Sequence, residues 1–230
     1  MNDLAQKLIE ELQCETVFTI PVLGGIPVSE AVVVTWIIMA VLVVIAFILT
    51  RNLKVDHISK RQAVAESIVT GLLNMVQGMV GEKGKAYVPY LTTVMLYIGV
   101  SNIIGLFGFK SPTKDLRVTV ALALMSIILI EAAGIYHKGV KRWLHGFVEP
   151  VAIVTPINIL EVVTKPLSLC MRLFGNVLGA FVIMELLKMI LPVGLPVVFS
   201  LYFDIFDGLL QAYVFVFLTS LYLSLIHISE

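Results

Sequence analysis

The chain has 230 residues, of which 59% are hydrophobic and only 14% are charged, and its mean hydropathy is +0.99. Soluble domains hold about 45–50% apolar residues, so this composition indicates a membrane protein. The 16 basic and 16 acidic side chains give a formal net charge of zero, which argues against a nucleic-acid-binding protein.

Cysteine, metal and nucleotide patterns are missing from the sequence. Cys14 and Cys170 are the two cysteines, and Cys170 stands in an apolar run, so a disulfide framework is not expected. No CxxC, HExxH, GxGxxG or Walker spacing occurs, and we therefore predict no metal, no cofactor and no nucleotide site. The N-terminal stretch is acidic and amphipathic and lacks the apolar core of a signal peptide, so we expect the mature chain to start near Met1.

The first part of the chain predicts an outer segment, one membrane span and an amphipathic helix. Residues 1–28 precede the span, and residues 29–50 contain about 20 continuous apolar residues, enough for one bilayer crossing. Residues 51–86 begin with a basic stretch that the positive-inside rule assigns to the cytoplasm, so the N-terminus is expected outside. Residues 62–81 are amphipathic and either lie on the membrane surface or pack on the bundle.

Two further spans are predicted within residues 87–150. The second span covers Tyr87 to Phe109, and the third covers Val118 to about Tyr136. The basic stretch 138–146 is expected in the cytoplasm. The connector 110–117 is also basic, which weakens the signal, but the alternation of three spans places it outside.

Residues 151–226 predict a helical hairpin that is too long to stand upright in a bilayer. Ile157–Leu191 offers about 52 Å of helix, and Val197–Ile226 offers about 45 Å. The hydrocarbon core is only about 30 Å thick, so both helices must tilt, kink or protrude, and Pro166 is a possible kink site. The predicted fold is all-α: a single polytopic membrane domain of about five membrane-embedded helices, with a long, strongly tilted C-terminal hairpin and an amphipathic segment.

One permanent cation, Arg172, stands in this apolar hairpin, and Asn176 follows one turn later on the same helix face. A charge near the bilayer centre costs roughly 2.5–3.5 kcal/mol on insertion scales, and arginine stays protonated in proteins. Arg172 could simply snorkel to the head groups from near a helix end. Alternatively, a fixed cation blocks a direct ion leak and promotes proton release from any carboxylate brought beside it.

Small and acidic residues near the arginine also have two explanations each. Gly175 and Gly179 form a GxxxG pair, which either packs against a helix or lets a moving surface pass close to Arg172. Glu161 lies three turns before Arg172 on a similar face, but it also precedes Lys165 by four residues, which favours a local ion pair.

The last helix carries a second polar stripe. Asp204, Asp207 and Gln211 recur at i, i+3 and i+7, and Gly208 lies beside them. In apolar and aromatic surroundings, such carboxylates favour a water-filled cavity over contact with lipid. The alternative is that both carboxylates lie near the helix start and suit the macrodipole. Together with Arg172, the stripe indicates ion transfer across a membrane.

Four stretches resemble subunit a of the bacterial F-type ATP synthase. The strongest are TKPLSLCMRLFGNVLGA at 164–180 and DGLLQAYVFVFLTSLYL at 207–223. Residues 111–124 resemble the family's segment between two early spans, and residues 156–169 resemble its approach to the arginine. The resemblance covers about residues 100–223, and before them only the layout of spans agrees.

The resemblance implies a stator subunit in the bacterial inner membrane, whose two long helices face a rotating c-ring of small hairpin subunits. Subunit b of the peripheral stalk, the F1 sector and the lipid bilayer are the other implied partners. Arg172 matches the arginine that faces the ring carboxylate and separates two aqueous half-channels, and Asn176 and Gln211 match polar residues near it. Such a subunit moves protons but is not an enzyme on its own.

Other positions are implied less directly. Asn102 and Asp115 fall where the family has polar groups near the outer access path, and Glu161 is a candidate for the cytoplasmic exit path by position only. Three glycines would then allow close helix packing near the ring: Gly175, Gly179 and Gly208.

Two positions depart from the family pattern. Nine residues after the arginine many relatives carry glutamate or histidine, and seven residues before the glutamine many carry histidine or glutamate; here these are Phe181 and Asp204. We therefore expect Asp204 and Asp207 to supply the outer proton-exchanging group. The choice between proton and sodium stays open. An ion-coupled secondary transporter is the alternative class, although no internal repeat is visible.

Overall fold

The computed structural model describes residues 16–20, 26–51, 59–107, 109, 111–146, 155–190 and 194–228. Within them, a short β-hairpin is followed by helices. The strands are β1 (Thr16–Ile20) and β2 (Ile26–Ser29). The helices are α1 (Glu30–Thr50), α2 (Lys60–Val80), α3 (Val88–Ile103), α4 (Leu116–Lys138), α5 (Val140–Gly146), α6 (Thr155–Ile190), α7 (Leu195–Leu201) and α8 (Gly208–Ile228).

Short 3₁₀- and π-helical elements lie between some of these helices. Three are 3₁₀-helical, at Glu82–Tyr87, Ile104–Phe107 and Pro112–Lys114, and one is π-helical, at Tyr202–Asp207. The π-helical turn joins α7 directly to α8, so the last predicted span is one continuous helical rod with an irregular turn inside it.

Within the described residues, six helical segments are long and apolar enough to cross a membrane, which confirms an all-α polytopic membrane protein. One of them is α2, the segment predicted to be amphipathic. It packs against α3 and α8 through buried Val76 and Val80, so it belongs to the bundle. The prediction of about five embedded helices plus an amphipathic segment thus becomes six helices by length and composition.

One apolar core holds the bundle together. The most extensive helix contacts are α3 on α8 and α4 on α6. Fully buried side chains from five helices meet in this core, because each helix turns its aliphatic face inward: Val76, Leu91, Ile98, Ile130, Leu169, Leu173, Phe215, Val216 and Leu223. The remaining apolar faces are exposed, as expected where lipid or partner chains cover the surface.

Helix ends follow local sequence signals. Ser59 accepts a hydrogen bond from the Gln62 N–H at the start of α2, and Asp115 accepts one from the Arg117 N–H at the start of α4. Gly81 and Gly139 end α2 and α4 with φ of 79° and 75°, a left-handed conformation that glycine adopts without steric cost.

The C-terminal hairpin is as long as predicted. α6 has 36 residues, about 54 Å of helix, and it runs continuously through Pro166. The helix is not interrupted at Pro166, and the kink expected there stays a prediction. Gly194, with φ of 91°, opens the second arm. Pro192, Cys14 and the N-terminal amphipathic stretch lie outside the described residues.

The N-terminal hairpin was not predicted. β1 and β2 pair antiparallel, with Thr16 opposite Ser29, and β2 leads straight into α1. Val28 and Ser29 are buried, so the hairpin is attached to the bundle at its C-terminal end.

Candidate functional site

Arg172 lies in the middle of α6. About 26 Å of helix separates it from either end, so a simple snorkelling arginine near a helix end does not describe it. Its side chain is exposed in the isolated chain. Within the part of the chain that the structure describes, its guanidinium has no hydrogen bond or ion pair.

The face of α6 around Arg172 is open. A Cβ added at Gly175 or Gly179 would meet no atom within 4 Å, and Met171 is exposed. The opposite face is closed, because Leu169 and Leu173 are buried in the core. The two glycines therefore pack against no described residue of this chain, and the arginine lies on the same uncovered face of α6.

A polar cavity of about 580 Å³ lies beside the C-terminal half of α6. It lies between the C-terminal end of α3, the connector that follows α3, helix α6 and the π-helical turn. We call it the polar cavity. Its polar and charged lining residues are Asn102, Ser111, Lys114, Asn176, Glu185, Lys188, Ser200, Asp204, Asp207 and Gln211. It thus brings together five residues of the predicted proton path, Asn102, Asn176, Asp204, Asp207 and Gln211, and also Gly208.

The π-helical turn carries both aspartates into the cavity. Such turns hydrogen-bond from i to i+5, are rare, and are frequently found at functional sites. Asp204 and Asp207 both line the cavity, and both are half-buried. The alternative that they merely suit a helix start is weakened, since α7 precedes them by a full seven residues.

Asp204 lies nearer the turn between α6 and α7. The Ser200 hydroxyl donates to its Oδ2 at 2.8 Å. A Cβ at Gly105 would stand 3.3 Å from its Oδ1, so the backbone after α3 approaches this carboxylate closely.

Asp207 is held by the neighbouring arm. Asn176 Nδ2 donates to Asp207 Oδ2 at 2.7 Å and lies 3.3 Å from Gln211 Oε1. Gln211 is only 4% exposed, yet its Nε2 finds no hydrogen-bond partner among the described residues. The asparagine and glutamine predicted to lie close together therefore do so, and Asp207 joins them.

A second set of polar side chains, which we call the connector network, ties together the end of α3, the start of α4 and the start of α8. Ser111 donates to the Ser101 carbonyl at 2.7 Å, and Thr113 donates to Asn102 Oδ1 at 2.8 Å. Asn102 Nδ2 donates to the Gly208 carbonyl at 3.0 Å. Both ends of the Asn102 amide are thus occupied, although the residue also lines the cavity.

Asp115 belongs to the connector network and does not line the polar cavity. Its Oδ1 accepts from the Arg117 N–H at 2.9 Å, and its Oδ2 accepts from the Ser29 hydroxyl at 3.0 Å. The residue is 5% exposed. These contacts describe a helix cap that holds the N-terminal hairpin, and they keep both carboxylate oxygens engaged.

Gly208 packs within the chain. A Cβ there would lie 2.7 Å from the Asn102 Cβ, closer than side chains approach one another. The residue is buried against α3, in contrast to the open positions of Gly175 and Gly179. Its role in the structure is therefore the α3–α8 contact, which differs from the ring-facing packing inferred from sequence.

Glu161 lies far along α6 from the polar cavity. It is exposed and pairs with Lys165 at 3.1 Å, the local ion pair that the spacing predicted. The Lys165 ammonium also lies 5.5 Å from the centre of the Tyr222 ring.

Five polar residues of the cavity were missed from sequence: Ser111, Lys114, Glu185, Lys188 and Ser200. Lys114 lies over the Phe181 ring, 4.0 Å from its centre, so a cation faces the position where many relatives carry glutamate or histidine. Ser200 is the hydrogen-bond partner of Asp204. Lys114 follows a proline in a polar connector, and its contact with α6 has no local sequence signal.

Among the described residues, no group of three or more His, Cys, Asp or Glu side chains could hold a metal ion. Cys170 is buried as a free thiol, with its sulfur 3.5 Å from the Thr119 hydroxyl.

Comparison with known proteins identifies close relatives along most of the chain. A family profile described as ATP synthase A chain matches residues 32–224. ATP synthase subunit a of Moorella thermoacetica is 34% identical over 204 residues, which cover 88% of this chain and 92% of the relative. The sodium ion specific ATP synthase subunit a of Propionigenium modestum is 34% identical over 215 residues, covering 86% and 74% respectively. A subunit a of Crocosphaera subtropica is 29% identical over 198 residues, covering 85% and 86%.

Proposed function

The chain belongs to the ATP synthase subunit a family, and from this premise we propose that it provides two aqueous half-channels separated by Arg172. Protons pass through them to and from the carboxylates of a rotating c-ring, and this flow is coupled to ATP synthesis or hydrolysis in the F1 sector. Subunit b of the peripheral stalk is a further partner. The family match favours this function over the ion-coupled secondary transporter that intramembrane charges alone left open.

The observation that carries the proposal is the setting of Arg172. A permanent cation at the midpoint of a 36-residue apolar helix is costly, and this one faces away from its own chain without a described partner. The open Gly175 and Gly179 on the same helix leave room for a surface to pass close by. A ring carboxylate brought to this face would meet the guanidinium and give up its proton.

The polar cavity supports an outer half-channel. It is lined by three half-buried carboxylates and three side-chain amides, and its lining residue Asn176 lies one helical turn, about 6 Å, from Arg172. We place the N-terminus outside, as the basic loops indicate, and take α2 to pack on the bundle without crossing the bilayer, so that the cavity opens to the outer side of the bacterial inner membrane. On the cytoplasmic side, Glu161 is assigned to the exit path by its position alone.

A sodium-translocating subunit is the alternative. It is favoured by the 34% identity to the sodium ion specific relative. The two versions are separated by measuring ATP-driven ion uptake in vesicles with and without sodium: a proton subunit acidifies the vesicle lumen in sodium-free buffer, whereas a sodium subunit does not.

The proposal is tested with Arg172→Ala in the assembled complex, reconstituted in vesicles. We expect loss of ATP-driven pumping together with a retained or increased passive proton leak, because the barrier between the half-channels is removed. Arg117→Ala is the matched control, since this exposed arginine lies at the start of α4, away from the open face of α6. Wild-type pumping by Arg172→Ala would show that the arginine is not the separator.

A further inference from the structure

Of the three cavity carboxylates, Glu185 is paired with Lys188, and the other two, Asp204 and Asp207, occupy different positions along the hairpin. Asp204 lies near the turn that joins α6 to α7, and its one side-chain hydrogen bond comes from Ser200 on its own arm. It also faces the 3₁₀ turn at Gly105. Charged residues surround this end of the cavity, where Lys188 pairs with Glu185 at 2.6 Å. These neighbours indicate the wetter end of the cavity.

Asp207 lies one turn further from the connecting turn and bridges the two arms. Its Oδ2 accepts from Asn176, which is one turn from Arg172 on α6. The Asn176 amide also approaches Gln211, so the three side chains form a short chain that leads away from the connecting turn. Asp207 is therefore the carboxylate of the cavity that is linked directly to the helix carrying the arginine.

The far end of this chain is incomplete. Gln211 is 96% buried and lines the cavity, and its Nε2 donor has no partner. A buried donor without a partner costs about 1–3 kcal/mol, so a hydrogen-bond acceptor from outside the described chain is expected there. A water molecule fits this chemistry, because buried waters occupy sites that offer two to four polar partners.

We infer that Asp204 and Asp207 act in series: Asp204 takes the proton at the wet end, and Asp207, held by Asn176 and Gln211, is the last carboxylate of this chain to carry it. The inference rests on the proposed half-channel function and adds an order to it. It also moves the final transfer one turn inward from the position where many relatives carry histidine or glutamate.

The transfers balance as follows. A hydronium in the cavity gives a proton to the Asp204 carboxylate, which becomes neutral and leaves water behind. The proton then moves to Asp207, so that one O–H bond breaks, another forms and Asp204 regains its charge. Asp207 passes the proton to the water at Gln211 Nε2, and that water gives up one of its own protons to a carboxylate outside this chain.

The test compares Asp204→Asn, Asp207→Asn and the double variant in the assembled complex, in vesicles. Passive proton flux through the membrane sector is measured over a range of pH on the side that the cavity faces. We expect Asp207→Asn to lose at least about tenfold in flux at every pH. Asp204→Asn should lose less and recover at low pH, because protons then reach Asp207 through cavity water. The double variant should match Asp207→Asn, and Asp207→Glu should restore part of the flux.

Two results would overturn the series. Near-normal flux in each single variant with loss only in the double would mean that the carboxylates are interchangeable. Normal flux in Asp207→Asn would mean that this residue only fastens the two arms. Arg172→Ala in the same vesicles distinguishes a failure of the proposed function from a failure of the series. If Arg172→Ala pumps normally, the half-channel function fails. If Arg172→Ala fails to pump while the aspartate variants pump normally, only the order of the two aspartates is wrong. Subunit content in the membrane is measured for every variant, and flux is divided by it.

Discussion

The connector network and the polar cavity are made from the same residue types but are built differently. In the connector network, Asp115 uses both carboxylate oxygens, and Asn102 uses both ends of its amide. In the cavity, Asp204 and Asp207 are half-buried and accept one described side-chain hydrogen bond each. The Gln211 Nε2 donor has no partner among the described residues. In a membrane protein, a polar group whose hydrogen-bonding capacity is fully used stabilises the fold. A polar group beside a cavity that has hydrogen-bonding capacity left remains free to exchange protons.

This difference separates residues that sequence alone grouped together. Asp115 was assigned to an ion path by its position in the family resemblance, and Asp207 by its place in the polar stripe of the last helix. In the structure, Asp115 caps α4 and accepts a hydrogen bond from Ser29, which lies 86 residues earlier in the chain. We therefore expect substitutions in the connector network to change stability, and substitutions in the cavity to change proton flux.

The largest effect on stability is expected for Asp115→Ala. It removes the cap of α4, worth about 1 kcal/mol, and leaves the buried Ser29 hydroxyl without its acceptor, which costs about 1–3 kcal/mol more. Thermal unfolding of the detergent-solubilised complex, followed for this subunit, measures the loss. Arg117→Ala, which leaves the capping backbone N–H in place, is the control. Equal melting temperatures for both variants would contradict the structural role.

A smaller loss of stability is expected for Gly208→Ala. The added methyl group would lie 2.7 Å from the Asn102 Cβ, and forcing extra volume into a packed contact costs about 1–3 kcal/mol. Gly71→Ala in α2 is the matched control, because nothing lies within 4 Å of its added Cβ. Alanine there should be neutral or stabilising by up to about 1 kcal/mol. Equal melting temperatures for Gly208→Ala and Gly71→Ala would contradict the close approach of α3 and α8.

The smallest effect is expected for Glu161→Gln. The Glu161–Lys165 pair is exposed at its acidic end and lies at i, i+4, an arrangement worth about 0.3–0.5 kcal/mol. Pumping should fall less than in Asp207→Asn, because water can bypass an exposed carboxylate. ATP-driven acidification of vesicles measures it. A loss as large as that of Asp207→Asn would make Glu161 an obligatory exit-path group.

Much of the architecture could be predicted from the sequence, because long apolar runs and the charges inside them are local signals. The helical hairpin, Arg172 and the stripe of Asp204, Asp207 and Gln211 were found in this way. The partners of Asp115 and Asn102 could not be, since Ser29 and Gly208 lie 86 and 106 residues away.

Conformational details were also beyond the sequence signals. The π-helical turn has no sequence signature comparable to a helix cap, yet it contains both aspartates. Gly208 was grouped with Gly175 and Gly179 because all three are small residues in helices. Which of them faces a neighbouring helix and which faces open space depends on the rotation of each helix in the bundle.

The most direct measurement is the passive proton flux per assembled membrane sector for Asp207→Asn beside Asp115→Asn. Both changes remove one carboxylate charge and keep nearly the same shape. The account predicts that Asp207→Asn assembles normally and loses flux, whereas Asp115→Asn assembles less well but conducts normally per complex. The reverse pattern, with normal flux in Asp207→Asn and lost flux in well-assembled Asp115→Asn, would contradict it.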